Sequence, residues 1–264
     1  MMDVNRFARA GALMVRVATS EDDLAAAQTL RYQVFFEEGG AAPDPVSRAA
    51  RRDFCRFDAV CDHILVIDRD APGAPVVGAY RLLRHEIARR HFGFYSAAEF
   101  EVEALVARHP RLRFMELGRS CVAPGYRGKR TIEALWRGVW AYALSHRIDA
   151  LFGCASLPGA DPRAHAQAFA ALDLQRAEPE WGAAPAPGAA MAALSLPGGA
   201  SDLRAALRDL PPLVKGYLRL GARFGRHAVI DEAFGVTDIF VVLRVADIEA
   251  RYLQHFAPQT AIAA

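Results

Sequence analysis

The chain has 264 residues, 53% of them apolar, which is enough to bury a sizeable core and too apolar for wholesale disorder. A net charge of only +2 gives no global field that would advertise nucleic acid or a membrane as partner. Of 32 basic residues only Lys129 and Lys215 are lysines; with abundant Ala and Gly this reads as gene base composition and carries no functional weight. The four cysteines, Cys55, Cys61, Cys121 and Cys154, form no C-x-x-C pair, so reduced thiols and a cytoplasmic chain are expected. The short apolar run at 12–17 is followed closely by Glu21-Asp22-Asp23, which is not a signal-peptide pattern. Residues 181–201 lack charge but contain Pro185, Pro187 and Pro197, so a loop is expected there rather than a membrane span.

In chain order, Leu13–Ala18 predicts a first strand. Ser20, with Asp23 three residues on, predicts a helix start, and Leu24, Leu30, Val34 and Phe35 continue an apolar stripe through Glu38. Gly39–Ser47 reads as the loop that ends it. His63–Ile67 and Val76–Leu83 predict a hairpin around the Asp-Arg-Asp-Ala-Pro-Gly-Ala-Pro turn. A helix at Ser96–Arg108 leads to a strand at Phe114–Val122. From Thr131 to His146, Ile132, Leu135, Trp136, Val139, Trp140 and Ala143 recur at helical spacing. Further along come a strand at Ala150–Ala155, a helix at Arg163–Leu172 and a low-complexity stretch near 178–200 with a brief strand at Ala192–Leu196. Helices at Ser201–Leu207 and Leu213–Leu220, strands at Ala228–Ile230 and Thr237–Leu243, and a closing helix at Val245–Phe256 complete the chain. This mixture predicts an α/β (α+β) sandwich in one domain spanning 1–264.

The stretch Glu116-Leu-Gly-Arg-Ser-Cys-Val-Ala-Pro-Gly-Tyr-Arg-Gly-Lys-Arg130 concentrates the chemistry. It reads as a strand, a basic glycine-containing turn and a helix start, which aims N–H groups and cations at a phosphate. A carboxylate on the strand just before it suggests a base. Together they suggest an acyl group on a phosphate-bearing arm being passed to an amine.

The turn Pro124-Gly-Tyr-Arg-Gly-Lys-Arg-Thr resembles the phosphate loop of the Gcn5-related N-acyltransferase superfamily, although Arg130 and Ile132 occupy the usual glycine positions. Bulk there restricts approach to a pyrophosphate, while the single phosphate of a carrier-protein arm still fits. Several blocks occur in one order: Arg31-Tyr-Gln-Val-Phe-Phe-Glu-Glu38, Asp58-Ala-Val-Cys-Asp-His63, Gly78-Ala-Tyr-Arg-Leu-Leu-Arg84, Gly93-Phe-Tyr-Ser-Ala97, Glu116-Leu-Gly-Arg119, Leu135-Trp-Arg-Gly138 and Phe152-Gly-Cys-Ala-Ser156. This order resembles the acyl-homoserine-lactone synthases and, more closely, the bacterial ornithine-lipid-synthesising acyltransferases. The resemblance implies a Gcn5-related mixed central sheet flanked by helices. It also implies transfer of a 3-hydroxyacyl group from acyl carrier protein to the α-amine of ornithine. Cys55 stands where relatives usually carry an acidic residue.

Acyl transfer from a thioester needs a deprotonated, aligned amine. Glu116 is the candidate general base, directly or through water, with burial expected to raise its pKa. On a regular strand positions 116 and 119 face opposite ways, and a bulge between them would reunite them. Arg81 and Arg119 are candidate clamps for the acceptor's α-carboxylate. Asp58 is a candidate for its side-chain ammonium, and Arg31 for orienting Asp58 or meeting the carrier protein. Asp62 reads as a turn cap and His63 as a structural histidine. Arg127, Gly128, Lys129 and Arg130 are the candidate phosphopantetheine and carrier-protein contacts. Ser120 and Cys121 raise a nucleophilic alternative, but no His/Asp pair accompanies them at recognisable spacing. No metal or separate cofactor is expected, the acyl carrier protein serving as donor. Expected partners are that carrier, an amino acid and, through a lipid product, the inner membrane face; nucleic acid is not expected. Rival readings are an acyltransferase for glutamine or lysine, a lactone synthase, and a non-catalytic carrier-binding module.

Overall fold

The protein is described from a computed structural model, covering residues 6–10, 12–193, 203–249 and 252. Its contacts cluster into two units, Met1–Leu83 with Leu117–Arg147 and Ala250–Ala264, and Arg84–Glu116 with Ile148–Glu249.

In the first unit, β1 (Arg6–Ala10), β2 (Leu13–Val17), β3 (Asp62–Asp68), β4 (Val76–Arg84) as far as Leu83 and β5 (Phe114–Val122) from Leu117 onward lie side by side in that order. The β3–β4 hairpin is present as expected. Its register sets His63 opposite Arg81 and Ile64 opposite Tyr80. Helix α1 (Glu21–Tyr32) is capped by Ser20, whose hydroxyl accepts from the Asp23 N–H at 3.1 Å. The expected helix to Glu38 changes character on the way, because Gln33–Glu38 winds as a π-helix. The Gly39–Ser47 loop gives way early to α2 (Pro45–Ala50), since Asp44 caps it and Pro45 suits its first position. Ala27, Leu30, Leu65, Ile67, Ala79 and Cys121 form the core between α1 and the sheet.

Helix α5 (Lys129–Ser145) covers β2 and β3 so closely that Gly138 is required. A Cβ there would lie 2.7 Å from both Ile64 Cγ2 and Val15 Cγ1. Both are stiff β-branched side chains. Gly138→Ala gains about 1 kcal/mol of helix propensity against an overpacking cost of about 1–3 kcal/mol. We expect a net loss of stability in urea titration; a variant more stable than wild type would contradict the packing. Trp136 and Trp140 are buried on the same helix, Trp136 edge-on to Tyr80, so both serve the core.

The second unit contains α3 (His85–Ala88), a 3-10 turn at Tyr95–Ala98 and α4 (Val102–Arg108), so the helix expected from Ser96 to Arg108 is broken in two. Then come β6 (Ala150–Pro158), α6 (Ala166–Asp173), β7 (Met191–Ala193), α7 (Leu203–Asp209), α8 (Pro212–Arg219), β8 (Arg223–Asp231) and β9 (Val236–Arg244). The strands pair in the order β6-β9-β8-β7. Phe94, Phe114, Phe152 and Phe240 interlock with ring centroids 4.9–6.2 Å apart where they touch. Of the expected closing helix, Val245–Asp247 forms a 3-10 turn; 250–251 and 253–256 lie outside the described residues, as do 194–200 of the low-complexity stretch. Among the described residues, no helix is long and apolar enough to cross a membrane.

Candidate functional site

The first unit assembles a buried ionic network from residues far apart in sequence. Arg31, in the last turn of α1, is only 1% exposed. Its Nη1 and Nη2 donate to the two Asp58 oxygens at 3.0 and 2.7 Å, and its Nε to Asp53 Oδ2 at 2.8 Å. Asp58 also receives Arg81 Nη1 at 3.2 Å, Gln28 Nε2 at 3.1 Å and the Cys55 N–H at 3.1 Å. Burial works to raise the Asp58 pKa, but the hydrogen bonds and charge of Arg31, with the charge of Arg81, hold it well below the usual carboxylate range. Arg119 Nε reaches Asp53 Oδ2 at 3.2 Å.

This geometry revises two expectations. Asp58 was expected to take the acceptor's ammonium, yet five donors crowd its two oxygens, leaving no lone pair for a sixth. It is instead the anchor that fixes Arg31 and Arg81. Arg31, held on Asp58 and Asp53, is too buried to offer a surface to a carrier protein. Asp53 and Gln28 were missed in the sequence reading. Neither carries a motif, and both matter only because the fold brings them to Arg31 and Asp58.

Arg81 and Arg119 are left as neighbours of like charge, the Arg119 charge opposing that of Arg81. Two guanidinium groups brought together suit an anion such as a carboxylate. The Cys55 thiol accepts from Arg81 Nη1 at 3.2 Å, so this unusual cysteine still contacts the cation beside it. Arg119 has φ +52°, a left-handed conformation that interrupts the two-residue alternation of β5. Such a conformation in a non-glycine residue costs of order 1–3 kcal/mol and persists where the surroundings impose it.

His63 is buried, with Nε2 3.3 Å from the Asp58 carbonyl oxygen. Burial, aided by the Arg31 charge, lowers its pKa to about 4. The unfolded chain therefore binds a proton that the native state refuses between about pH 6.5 and 4. Stability from this source is complete above 6.5 and is lost as the pH falls. We expect a loss of about 3 kcal/mol between pH 8 and pH 4. A smaller loss in His63→Gln, by urea titration at both pH values, checks this; equal losses would contradict it. The expected structural role of His63 fits this geometry. The Asp62 Oδ2 accepts from the Tyr142 hydroxyl.

Glu116, in the second unit, is 4% exposed. Its Oε2 accepts the Tyr95 N–H at 2.8 Å and its Oε1 the Ser96 N–H at 2.7 Å. The Gly93-Phe-Tyr-Ser-Ala97 block thereby closes onto the β5 carboxylate.

The basic turn leads into the 17-residue helix α5 through Gly128, which supplies no side-chain cap to its first N–H groups. Gly125 adopts φ +84° in the preceding turn, closed by the Tyr126 N–H to the Ala123 oxygen at 3.0 Å. Arg127 forks onto Glu38, and Lys129 lies 3.6 Å from Glu133. Arg130 is exposed. Cys121 is buried and its thiol pushed up to about 12, so it is no nucleophile near neutral pH. Among the described residues, Glu99, Asp231 and Asp238 bring oxygens within 4.8 Å of one another. Cys154 Sγ and Ser156 Oγ already donate to Glu99 and Asp238, at 3.2 and 2.5 Å, so a cation there would compete with these bonds.

Residues 30–137 match the Acetyltransferase (GNAT) domain. The L-ornithine N(alpha)-acyltransferase of Agrobacterium fabrum (strain C58 / ATCC 33970) is 50% identical over 254 residues, covering 95% of this chain and 87% of that protein. The chain belongs to the L-ornithine N(alpha)-acyltransferase family. The family member from Brucella abortus (strain 2308) is 48% identical over 95% of this chain and 91% of its own length. Among solved structures, the CoA-dependent acyl-homoserine lactone synthase BjaI, with SAM and isopentyl-CoA, aligns over 93% of this chain and 90% of its own at 16% identity and TM-score 0.47. Membership of the family makes this chain an acyltransferase, with the mixed α/β architecture of the GNAT domain.

Proposed function

We propose that this acyltransferase moves a 3-hydroxyacyl group from acyl carrier protein to the α-amine of L-ornithine, giving a lyso-ornithine lipid. The observation that carries the acceptor is the Arg81–Arg119 pair, held by Asp58 and Asp53, in a chain half identical to a protein named L-ornithine N(alpha)-acyltransferase. Arg81 and Arg119 take the acceptor's carboxylate, which leaves the α-nitrogen one carbon away to attack. Arg31 and Asp58 hold that clamp rigid without touching the substrate. Glu116 is the base. It accepts the proton that the acceptor's ammonium must lose before the nitrogen can attack. A thioester needs no covalent enzyme intermediate, and the protonated Cys121 agrees with direct transfer.

The donor's phosphate would meet the open N-terminus of α5, with Arg127, Lys129 and Arg130 facing the acidic carrier. The lipid product brings contact with the inner membrane face into the same proposal. Neutralising the three cations together is expected to raise KM for the acyl carrier about tenfold at low salt, equivalent to about 1.4 kcal/mol. The gap should narrow as salt screens the wild type. An unchanged KM at low salt would remove the docking surface from the proposal, and faster transfer from acyl-coenzyme A than from acyl carrier protein would remove the donor.

A further inference from the structure

The segment that follows α3 keeps its shape by backbone bonds alone and gives its side chains to solvent. Arg89, Arg90, His91 and Phe92 are exposed in succession. The N–H groups of Arg89, Arg90, His91 and Gly93 are met by the carbonyls of His85, Ile87 and Ala88 at 3.0–3.1 Å. Gly93, at φ +75°, then turns the chain back into the core at Phe94. The four exposed side chains are therefore not what holds this turn. Glu86, the acid nearest them in sequence, is taken by Arg84 at 2.8 Å. Neither the Arg89 nor the Arg90 guanidinium has a hydrogen bond or ion pair among the described residues.

Phe92 is 44% exposed, although its ring centroid lies 6.0 Å from that of His91. A lone exposed aromatic needs no explanation, and exposed arginines are ordinarily a solvated surface. What sets this loop apart is the recess it shares. A cavity of about 420 Å³ is lined by Ala88, Gly93, Phe94 and Val106, and by Arg89 itself. Glu103 is the acid among its lining residues, which disfavours an anionic group inside and suits the recess to an apolar chain. Cations outside and an apolar hollow behind them match a molecule with an anionic head and a hydrocarbon tail.

We propose that this loop and recess are the surface by which the protein docks on an anionic phospholipid bilayer. Arg89 and Arg90 meet the lipid phosphates, Phe92 enters the interface, and the recess shelters the end of an acyl chain. The inference deepens the membrane contact proposed above, and rests on it. Two residues separate Phe92 from Tyr95, whose N–H holds Glu116 at 2.8 Å. Docking here puts the bilayer next to the turn that carries the proposed base, in a reaction whose product is an amphiphile. An acidic protein would also meet the cations, but has no use for a hollow that suits hydrocarbon.

The test sediments the full chain with vesicles of phosphatidylglycerol and phosphatidylcholine in equal parts, or of phosphatidylcholine alone. Transfer rates without vesicles and melting temperatures are measured beside it. Wild type is expected to bind the anionic vesicles about tenfold more tightly at low salt, and to be released as salt rises. Arg89→Gln with Arg90→Gln should weaken that binding about 30-fold, and Phe92→Ala about tenfold. Melting temperatures should not change, and transfer rates in solution should stay within about twofold. Wild type that does not prefer anionic vesicles, or variants that bind them as tightly as wild type, would overturn the inference. A raised KM for the acyl carrier with vesicle binding intact would do the same, giving the cations to the carrier protein. Vesicle binding as expected in a chain that transfers no acyl group would overturn the reaction and leave this surface standing.

Discussion

Asp58→Ala is expected to lose about 3–5 kcal/mol of folding stability, the cost typical of breaking a buried ion pair by removing one partner. The substitution removes a carboxylate shared by Arg31 and Arg81. Arg31 would keep Asp53, at 2.8 Å, but lose both bonds to Asp58. Arg81 would lose the carboxylate that offsets burial and the nearby Arg119 charge. Against a total stability of about 5–15 kcal/mol for a typical domain, such a loss brings the chain close to unfolding at growth temperature. Urea titration checks it. Asp58→Asn keeps the shape and two acceptor lone pairs, so it should fall between the alanine variant and wild type. An alanine variant within 1 kcal/mol of wild type would mean that the network is not the anchor described here. If Asp58 bound the acceptor's ammonium instead, its loss would raise KM for ornithine while leaving stability largely intact.

Glu116→Gln is expected to lower kcat about 10²- to 10⁴-fold, the range for loss of a general base. The amide also places an NH₂ group against one of two fixed N–H donors, Tyr95 or Ser96, so the turn at Tyr95–Ala98 must adjust. The two effects separate by pH. Loss of the base fades as the amine deprotonates in alkaline solution, whereas a displaced turn lowers the rate at every pH. KM for the acyl carrier should stay near wild type, because Glu116 has no role in the proposed docking surface. Full activity at pH 7 would remove Glu116 from the proton path.

The strands were legible because their apolar runs are long and bounded by turn residues, as in His63–Ile67 and Val76–Leu83. Helix α5 was legible from its heavy apolar stripe. The π-helical turn at Gln33–Glu38 was not, since it continues the same stripe and differs only in which carbonyl each N–H meets. Helix α2 had a readable signal, Asp44 as cap and Pro45 at the first position, but the Ala- and Pro-rich loop around it masked the pair. Strand β1 went unseen because Arg6, Ala8, Arg9 and Ala10 offer no apolar alternation; its pairing with β2 supplies the order. At the site, Arg81, Arg119 and Glu116 could be picked out from residue type and position beside the basic turn. Asp53 could not, because its role depends on Arg31 and Arg119, 22 and 66 residues away. Asp58 was found but assigned the wrong partner: sequence shows a carboxylate, and only the fold shows how many donors already surround it.

The most direct measurement incubates the pure protein with 3-hydroxyacyl carrier protein and, in parallel, ornithine, lysine, glutamine or S-adenosylmethionine. Free carrier thiol and product mass are followed together. The account predicts thiol release that depends on ornithine and a product with the mass of N-acyl-ornithine, lost when Arg81 or Arg119 is replaced by Met. Release with another acceptor in preference to ornithine, or carrier binding without release under any condition, would contradict it.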